Sequence, residues 1–278
     1  MTAPRWSFGL LVQAEFFKLM SRTSAKLGLL LSLALGLGMP LLSLLLMNSG
    51  MMVNGVDASS AFQVDPNDGL VYSLYIRSFP VAIRAFLVIL GAQALAGEFS
   101  ARTLREDLLR PVPRWAVLFA KLAALMLWDA ASLGLTFGAG TLIGVMAFGT
   151  GGAWLATTLA YFLALLCDTG IIAVVLATGV LTRSTVATIA SLIVFFVLDK
   201  MLGWAMVAAS TAAMMFTTSE VIIQLLNRWP ALPSAAFASW SFVLADQQVY
   251  WESVASGVLI TACSLLFALL WIRRIDVP

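Results

Sequence analysis

Long apolar runs alternate with shorter polar segments along the whole chain. A helix needs about 20 apolar residues to cross the ~30 Å hydrocarbon core of a bilayer. On that rule the sequence predicts six transmembrane helices, at residues 27–47, 79–97, 116–148, 153–181, 184–208 and 253–272. The third run is longer than a bilayer requires, so we expect that helix to tilt or to project beyond it. The pattern predicts an all-α integral membrane protein, with residues 1–278 forming a single transmembrane domain.

The first polar segment, residues 6–22, has the periodicity of an amphipathic helix. Glu15, Lys18 and Arg22 recur at spacings of three and four, which puts them on one helical face. Phe16 is a candidate anchor in the interface between lipid and water. We therefore expect this helix to lie along the membrane surface. The alternative is a cytoplasmic extension of the first transmembrane helix.

Residues 217–251 precede the sixth run and differ from the other polar segments. Two moderately apolar pieces are separated by Pro230 and Pro233, and each piece is too short to cross a membrane. This pattern favours short re-entrant half-helices that enter the outer side of the membrane and return to it.

The distribution of Lys and Arg predicts the orientation of the chain. With both termini in the cytoplasm, the inner side carries 12 of the 16 basic residues. These are Arg5, Lys18, Arg22, Lys26, Arg102, Arg105, Arg110, Arg114, Lys121, Arg183, Arg273 and Arg274. Because cytoplasmic loops are enriched in such residues, the bias predicts that both termini and the segment between the second and third spans are cytoplasmic.

Composition narrows the classes of function. The chain is 61% hydrophobic and 11% charged, against about 25% charged in an ordinary soluble domain. A net charge of +2 gives no reason to expect nucleic acid as a partner. The absence of histidine excludes Ser-His-Asp catalysis and sites in which histidine binds a metal. We expect neither a metal site nor a cofactor site in this chain.

The segment between the second and third runs is unusually rich in charge for so apolar a protein. Residues 98–110 contain good helix formers without Gly or Pro, and Pro111 and Pro113 end the helical pattern. A short helix here, with Leu104 and Leu108 on its apolar edge, would transmit a rigid-body movement to the spans on either side. An ordinary charged turn that follows the positive-inside rule is the other interpretation, and physical arguments alone do not separate the two.

A motif in this segment resembles the signature of the ATP-binding-cassette type 2 permeases. The motif has an acidic residue at the end of the second span, a Thr-Leu pair, a Leu-Leu pair, Pro-Val-x-Arg and a Lys seven residues later. The matching positions are Glu98, Thr103, Leu104, Leu108, Leu109, Pro111, Val112, Arg114 and Lys121. Arg102 stands where the family commonly has Gly. Residues 15–19, Glu-Phe-Phe-Lys-Leu, together with Arg22 also resemble the surface helix of that family.

The resemblance implies a permease subunit in the bacterial cytoplasmic (inner) membrane. Such a subunit pairs with a second copy of itself, or with a related permease, and docks separate ATPase subunits through the loop 98–114. The residues it assigns to ATPase coupling are Glu98, Arg102, Thr103, Leu104, Arg105, Leu108 and Arg114. The surface-helix residues are Glu15, Phe16, Lys18 and Arg22. ATP would bind the partner, since the chain has no G-x-x-x-x-G-K-[ST] motif, and the chain itself is not an enzyme.

Several charged residues fall at membrane depth, where a charge costs at least ~2.5–3.5 kcal/mol. Arg84 and Asp129 lie at similar depths on consecutive antiparallel spans, so we expect them to form an ion pair. Asp168 has no obvious partner at its depth. It is a candidate for the path between the two permease copies, or for a protonated carboxyl bonded to a neighbouring helix.

The leading interpretation is a permease that moves a substrate outward. An alternative within the same class is a permease that drives maturation or assembly of an envelope component. A passive channel is a further alternative, but the sequence has no carbonyl-filter motif. An intramembrane aspartyl enzyme would use Asp129, Asp168 or Asp199, yet no Gly-x-Gly-Asp or Tyr-Asp motif surrounds them. The sequence identifies no substrate.

Overall fold

The computed structural model describes residues 7–48, 52–53, 56–57, 81–101, 112–148, 154–216 and 251–274. In chain order the described helices are α1 (Phe8–Met20), α2 (Thr23–Asn48), α3 (Val81–Ser100), α4 (Arg114–Phe148), α5 (Trp154–Thr182), α6 (Thr185–Phe216) and α7 (Trp251–Arg274). Two strands, β1 (Met52–Val53) and β2 (Val56–Asp57), form a short antiparallel ladder. Apart from this ladder, the described part of the chain is helical, as the sequence predicts.

Helices α2 to α7 overlie the six predicted spans. By length and composition, three described segments qualify as membrane-spanning, Arg114–Ile143, Ala164–Thr182 and Gly257–Arg274. Shorter apolar segments occur at Thr23–Gly38 and Thr185–Phe195. The count of six spans and the surface position of α1 stay predictions. Residues 217–250 of the re-entrant segment, and residues 102–111 of the charged loop, lie outside the described residues.

Local sequence explains where the helices break. Pro113 directly precedes the first residue of α4, and a proline is tolerated at a helix start because no partner for its missing N–H is needed there. Between α5 and α6, Arg183 has a φ of 55°, in the left-handed region. A left-handed residue other than Gly costs roughly 1–2 kcal/mol, so this turn is held by its surroundings.

Helices α4 and α5 form the centre of the bundle. Helix α2 packs on α4, and α7 packs on α5. Helix α3 lies against α5 and α6, and its contact with α5 is more extensive than its contact with α4. The largest fully buried apolar side chains are Leu87, Leu90 and Leu95 of α3, Leu118, Leu125 and Trp128 of α4, and Ile172, Val175 and Leu176 of α5, together with Leu192 of α6.

Small residues at four-residue intervals bring α2 and α4 close together. Gly28, Ser32 and Gly36 share one face of α2. A Cβ added to Gly36 would lie 2.7 Å from the backbone oxygen of Thr136, and one added to Gly28 would lie 2.6 Å from the Trp128 ring. This is the small-xxx-small spacing that lets transmembrane helices approach closely. We call this contact the α2–α4 seam.

Polar side chains join the same two helices inside the seam. The hydroxyls of Ser32 and Ser132 lie 2.6 Å apart, and both residues are buried. Thr136 Oγ1 donates to the backbone oxygen of Ser32 at 3.0 Å. Trp128 Nε1 donates to the backbone oxygen of Ala25 at 3.1 Å. The seam therefore combines close backbone contact with satisfied hydrogen bonds.

The outer surface of the described bundle is strongly apolar. Large exposed apolar side chains include Val186, Ile193, Val194, Val197, Leu198 and Met201 of α6, and Val258, Leu259, Leu266, Phe267 and Leu270 of α7. Soluble monomers rarely expose contiguous apolar surface of this kind, so these helices suit contact with lipid or with another membrane protein.

Candidate functional site at the base of the charged loop

Glu98, in the last turn of α3, lies at the centre of a group of ion pairs. Its carboxylate is 4% exposed, although the loop that it precedes was predicted to be cytoplasmic. Oε1 lies 2.5 Å from Lys18 Nζ on α1, and Oε2 lies 2.7 Å from Lys121 Nζ on α4. One carboxylate therefore joins the N-terminal helix, the second predicted span and the third.

Lys121 extends the group by binding a second carboxylate. Its ammonium is fully buried and donates to Glu15 Oε2 on α1 at 2.8 Å. Lys18, Glu98, Lys121 and Glu15 thus alternate in charge across three helices, and we call them the loop-base cluster. Each buried charge costs several kcal/mol of desolvation, which only close partners of opposite charge offset. The cluster therefore depends on all its members being in place.

Arg22, which directly precedes α2, borders the loop-base cluster. Burial lowers the pKa of its guanidinium, whereas the carboxylates of Glu98 and Glu15 raise it. An arginine guanidinium in a protein stays charged at neutral pH. Within the described residues, its Nη1 is buried without a hydrogen-bond partner. A cavity of about 10 Å³, the size of one water molecule, lies between Arg22, Lys18, Glu15 and Lys121.

The turn between α5 and α6 packs on the same end of α3. The guanidinium of Arg183 lies 6.0 Å from the centre of the Phe99 ring, within cation–π range. A Cβ on Gly97 would contact Thr185 Oγ1 at 3.4 Å, so the first turn of α6 also approaches α3 closely. These contacts explain how the left-handed backbone of Arg183 is held.

Arg114, the first residue of α4, binds the end of the last helix. Its Nη1 donates to the backbone oxygen of Ile272 at 3.1 Å and to that of Arg273 at 3.4 Å. Each end of the charged loop is therefore attached to a helix distant in sequence, α1 at one end and α7 at the other. The proximal end joins α1 and α4, and the distal end joins α7.

Several residues predicted for this region come together, and others lie outside the described part. Glu15, Lys18 and Glu98 share the loop-base cluster, with Arg22 beside it. Phe16 is partly buried and packs against the main core. The coupling residues Arg102, Thr103, Leu104, Arg105 and Leu108 lie outside the described residues.

Two members of the site have weaker signals in the sequence. Lys121 enters the motif only as its last position, although a lone lysine inside an apolar helix already indicates a buried partner. Arg183 has no local signal, because its contact with Phe99 joins residues far apart in the chain.

Deeper in the bundle, Arg84 pairs with Asp168. Arg84 Nε lies 2.9 Å from Asp168 Oδ1, and the carboxylate is 2% exposed. The sequence predicts a pair between Arg84 and Asp129 and shows no obvious partner for Asp168, whereas in the structure Asp168 binds Arg84. The reason is the packing, since α3 lies against α5 more extensively than against its neighbour in sequence, α4. Asp129 is buried beside Trp128, and the side chain of Asp199 lies outside the described residues.

A family model described as "ABC-2 family transporter protein" matches residues 11–201, from α1 into α6. The chain belongs to the ABC-2 transporter family. This match includes every member of the loop-base cluster and the Arg84–Asp168 pair. Membership of this family agrees with the apolar helices and confirms the resemblance in the charged loop.

The chain is also similar to the uncharacterized protein YhcI of Bacillus subtilis (strain 168). The two are 32% identical over 75 residues, which is 27% of this chain and 24% of that protein. The matched region thus spans about a quarter of the relative's length.

Proposed function

We propose that this ABC-2 family protein is the permease subunit of an ABC transporter. Two permease copies, or this chain and a related permease, form the membrane unit, and separate ATPase subunits dock on the loop 98–114. The substrate moves outward across the cytoplasmic membrane, and both termini lie in the cytoplasm. The observation that carries the proposal is the loop-base cluster, which fixes the end of α3 and the N-terminal helix to α4 where the loop begins.

The burial of Glu98 supports different roles for the ends and the middle of the loop. A carboxylate bound by Lys18 and Lys121 and 4% exposed has no free face for a partner protein. We therefore assign contact with the ATPase to the charged residues between the two ends of the loop, such as Arg105. The ends, Glu98 and Arg114, hold the loop against the bundle.

The Arg84–Asp168 pair weighs against an intramembrane aspartyl enzyme. Such chemistry uses two carboxyl groups that share a proton. The Asp168 carboxylate instead accepts a hydrogen bond from the Arg84 guanidinium at 2.9 Å.

Co-purification tests the docking of an ATPase. Affinity-tagged permease is purified from membranes of its native host, and co-purified proteins with a G-x-x-x-x-G-K-[ST] motif are quantified by mass spectrometry. We expect Arg105→Ala to lower the recovered ATPase by about tenfold, as for the loss of one interfacial contact of about 1.4 kcal/mol. Arg274→Ala, on the exposed end of α7, is the control. Equal recovery with Arg105→Ala and wild type, or no ATPase with wild type, would contradict the proposal.

Cysteine labelling tests the orientation. Ser100 is exposed in the last turn of α3, next to the loop. In a cysteine-free background, Ser100→Cys is expected to react with a membrane-impermeant maleimide in inverted vesicles and not in intact cells. Labelling in intact cells would put the loop outside, where no ATPase reaches it.

A further inference from the structure

Arg114 has an unusual position for a residue of a docking loop. It is the first residue of α4, yet its guanidinium is directed to the last turn of α7, where it binds the oxygens of Ile272 and Arg273. The final four carbonyls of a helix have no partner within that helix. Arg114 thus supplies a donor to carbonyls that α7 itself leaves unsatisfied.

Helix electrostatics favour this contact over any role of Arg114 within α4. A positive charge at the start of a helix faces the positive end of the helix dipole, and the first turn of α4 has no acidic residue to offset it. The C-terminus of α7 is the negative end of that helix's dipole, and it attracts the guanidinium. The position of Arg114 is therefore unfavourable for its own helix and favourable for α7.

The end of α7 is in turn attached to the core. Ile272 is 4% exposed and belongs to the main core, as does Ala268 one turn earlier. Phe267 and Trp271 stack with their ring centres 5.7 Å apart. Through α7, the contact of Arg114 reaches α5, on which α7 packs extensively.

We propose that Arg114 is a positioning residue that ties the distal end of the charged loop to the last transmembrane helix. Displacement of the loop by an ATPase then moves α7 as well as the helices held by the loop-base cluster. This role rests on the proposed function, in which the loop is the docking segment. Arg114 does not contact the ATPase. The backbone oxygens of Ile272 and Arg273, which accept from it, belong to the permease.

Hydrogen–deuterium exchange of the purified permease in lipid nanodiscs tests the contact without any ATPase. Arg114→Met retains the size of the side chain and removes its donors. We expect the amides in the last turn of α7 to exchange about two- to fivefold faster, the effect of losing a favourable charge at a helix end. Arg274→Met is the control for charge alone, because it removes an exposed arginine from the same end of α7 but leaves the Arg114 contact in place. We expect Arg114→Met to speed exchange by more than Arg274→Met does. Unchanged exchange in Arg114→Met overturns the proposal.

A second variant tests the contact if Arg114→Met fails to insert into the membrane. Arg114→Lys retains the charge with a single ammonium in place of the planar guanidinium, and is expected to increase exchange in the same region to a smaller extent. If Arg114→Lys inserts and exchanges at the wild-type rate while Arg114→Met does not insert, the carbonyls of α7 do not require the guanidinium, and the proposal fails.

Co-purification of the ATPase separates this inference from the proposed function. If Arg114 acts through α7, Arg114→Met retains the ATPase within about twofold of wild type, whereas Arg105→Ala loses it. Loss of the ATPase in Arg114→Met with unchanged exchange in α7 means that Arg114 contacts the partner, which refutes the inference alone. Retention of the ATPase by Arg105→Ala refutes the docking role of the loop, whatever the exchange of α7 shows.

Discussion

The loop-base cluster depends on Lys121, a fully buried ammonium between two carboxylates. This ammonium contacts both Glu15 and Glu98 at hydrogen-bond distance. Its removal therefore leaves the carboxylates facing each other in a medium that solvates them poorly, with Lys18 as the remaining ammonium.

We expect Lys121→Met to lower the free energy of unfolding by about 3–5 kcal/mol. The measurement is a denaturation midpoint of the detergent-solubilised protein, followed by loss of its tertiary signal. Lys26→Met is the control, because Lys26 is exposed at the start of α2. If both variants unfold at the same midpoint, the cluster does not stabilise the fold.

The Arg84–Asp168 pair makes a different prediction, because both partners can be replaced. Arg84→Met leaves the Asp168 carboxylate buried without its guanidinium, at a cost of about 3–5 kcal/mol. In the double variant Arg84→Met with Asp168→Leu the buried charges are gone, and we expect most of that loss to be recovered. A double-mutant cycle on the same midpoint measures the coupling, and strictly additive losses would disprove the pairing.

At the scale of helices, the α2–α4 seam depends on the absence of side chains on one face of α2. Gly36 faces the backbone of Thr136, whereas a Cβ on Gly38, two residues later, would meet nothing within 4 Å. These two glycines provide a matched comparison within one helix.

Gly36→Ala is expected to destabilise the protein by about 1–3 kcal/mol, because the added methyl forces the two helices apart. Gly38→Ala is expected to stabilise it by about 0.5–1 kcal/mol through helix propensity. Opposite signs in one unfolding assay confirm the seam. Similar effects of the two substitutions would show that α2 and α4 do not pack this closely.

At the scale of the whole molecule, the apolar exterior predicts where water does not reach. Cys263 is exposed near the middle of α7, on the surface that we expect to face lipid. In the Cys167→Ser background, Cys263 is expected to react at least about tenfold more slowly with a water-soluble maleimide than Ser100→Cys does, because a polar reagent is excluded from the hydrocarbon of the bilayer. When the protein is unfolded in detergent, we expect the two thiols to react at the same rate. Fast labelling in intact membranes would put α7 at an aqueous surface.

Some parts of this structure can be predicted from the sequence and others cannot. Runs of apolar residues locate the helices, because spanning a bilayer imposes a length that can be counted in one dimension. The motif from Glu98 to Lys121 likewise indicates the site, since its members lie close in sequence. The pairing of Arg84 with Asp168 could not be predicted in this way, because it depends on which helices become neighbours. The acceptors of Arg114 are backbone oxygens, which no side-chain pattern reveals.

The contact between Glu15 and Lys121 joins residues 106 positions apart. At a synthesis rate of roughly 5–20 residues per second, the lysine leaves the ribosome about 5–20 seconds after the glutamate. During that delay the N-terminal helix has neither Glu98 nor Lys121 to bind, and two later segments must enter the bilayer before it can. A helix that is made early is therefore among the last to be locked into place.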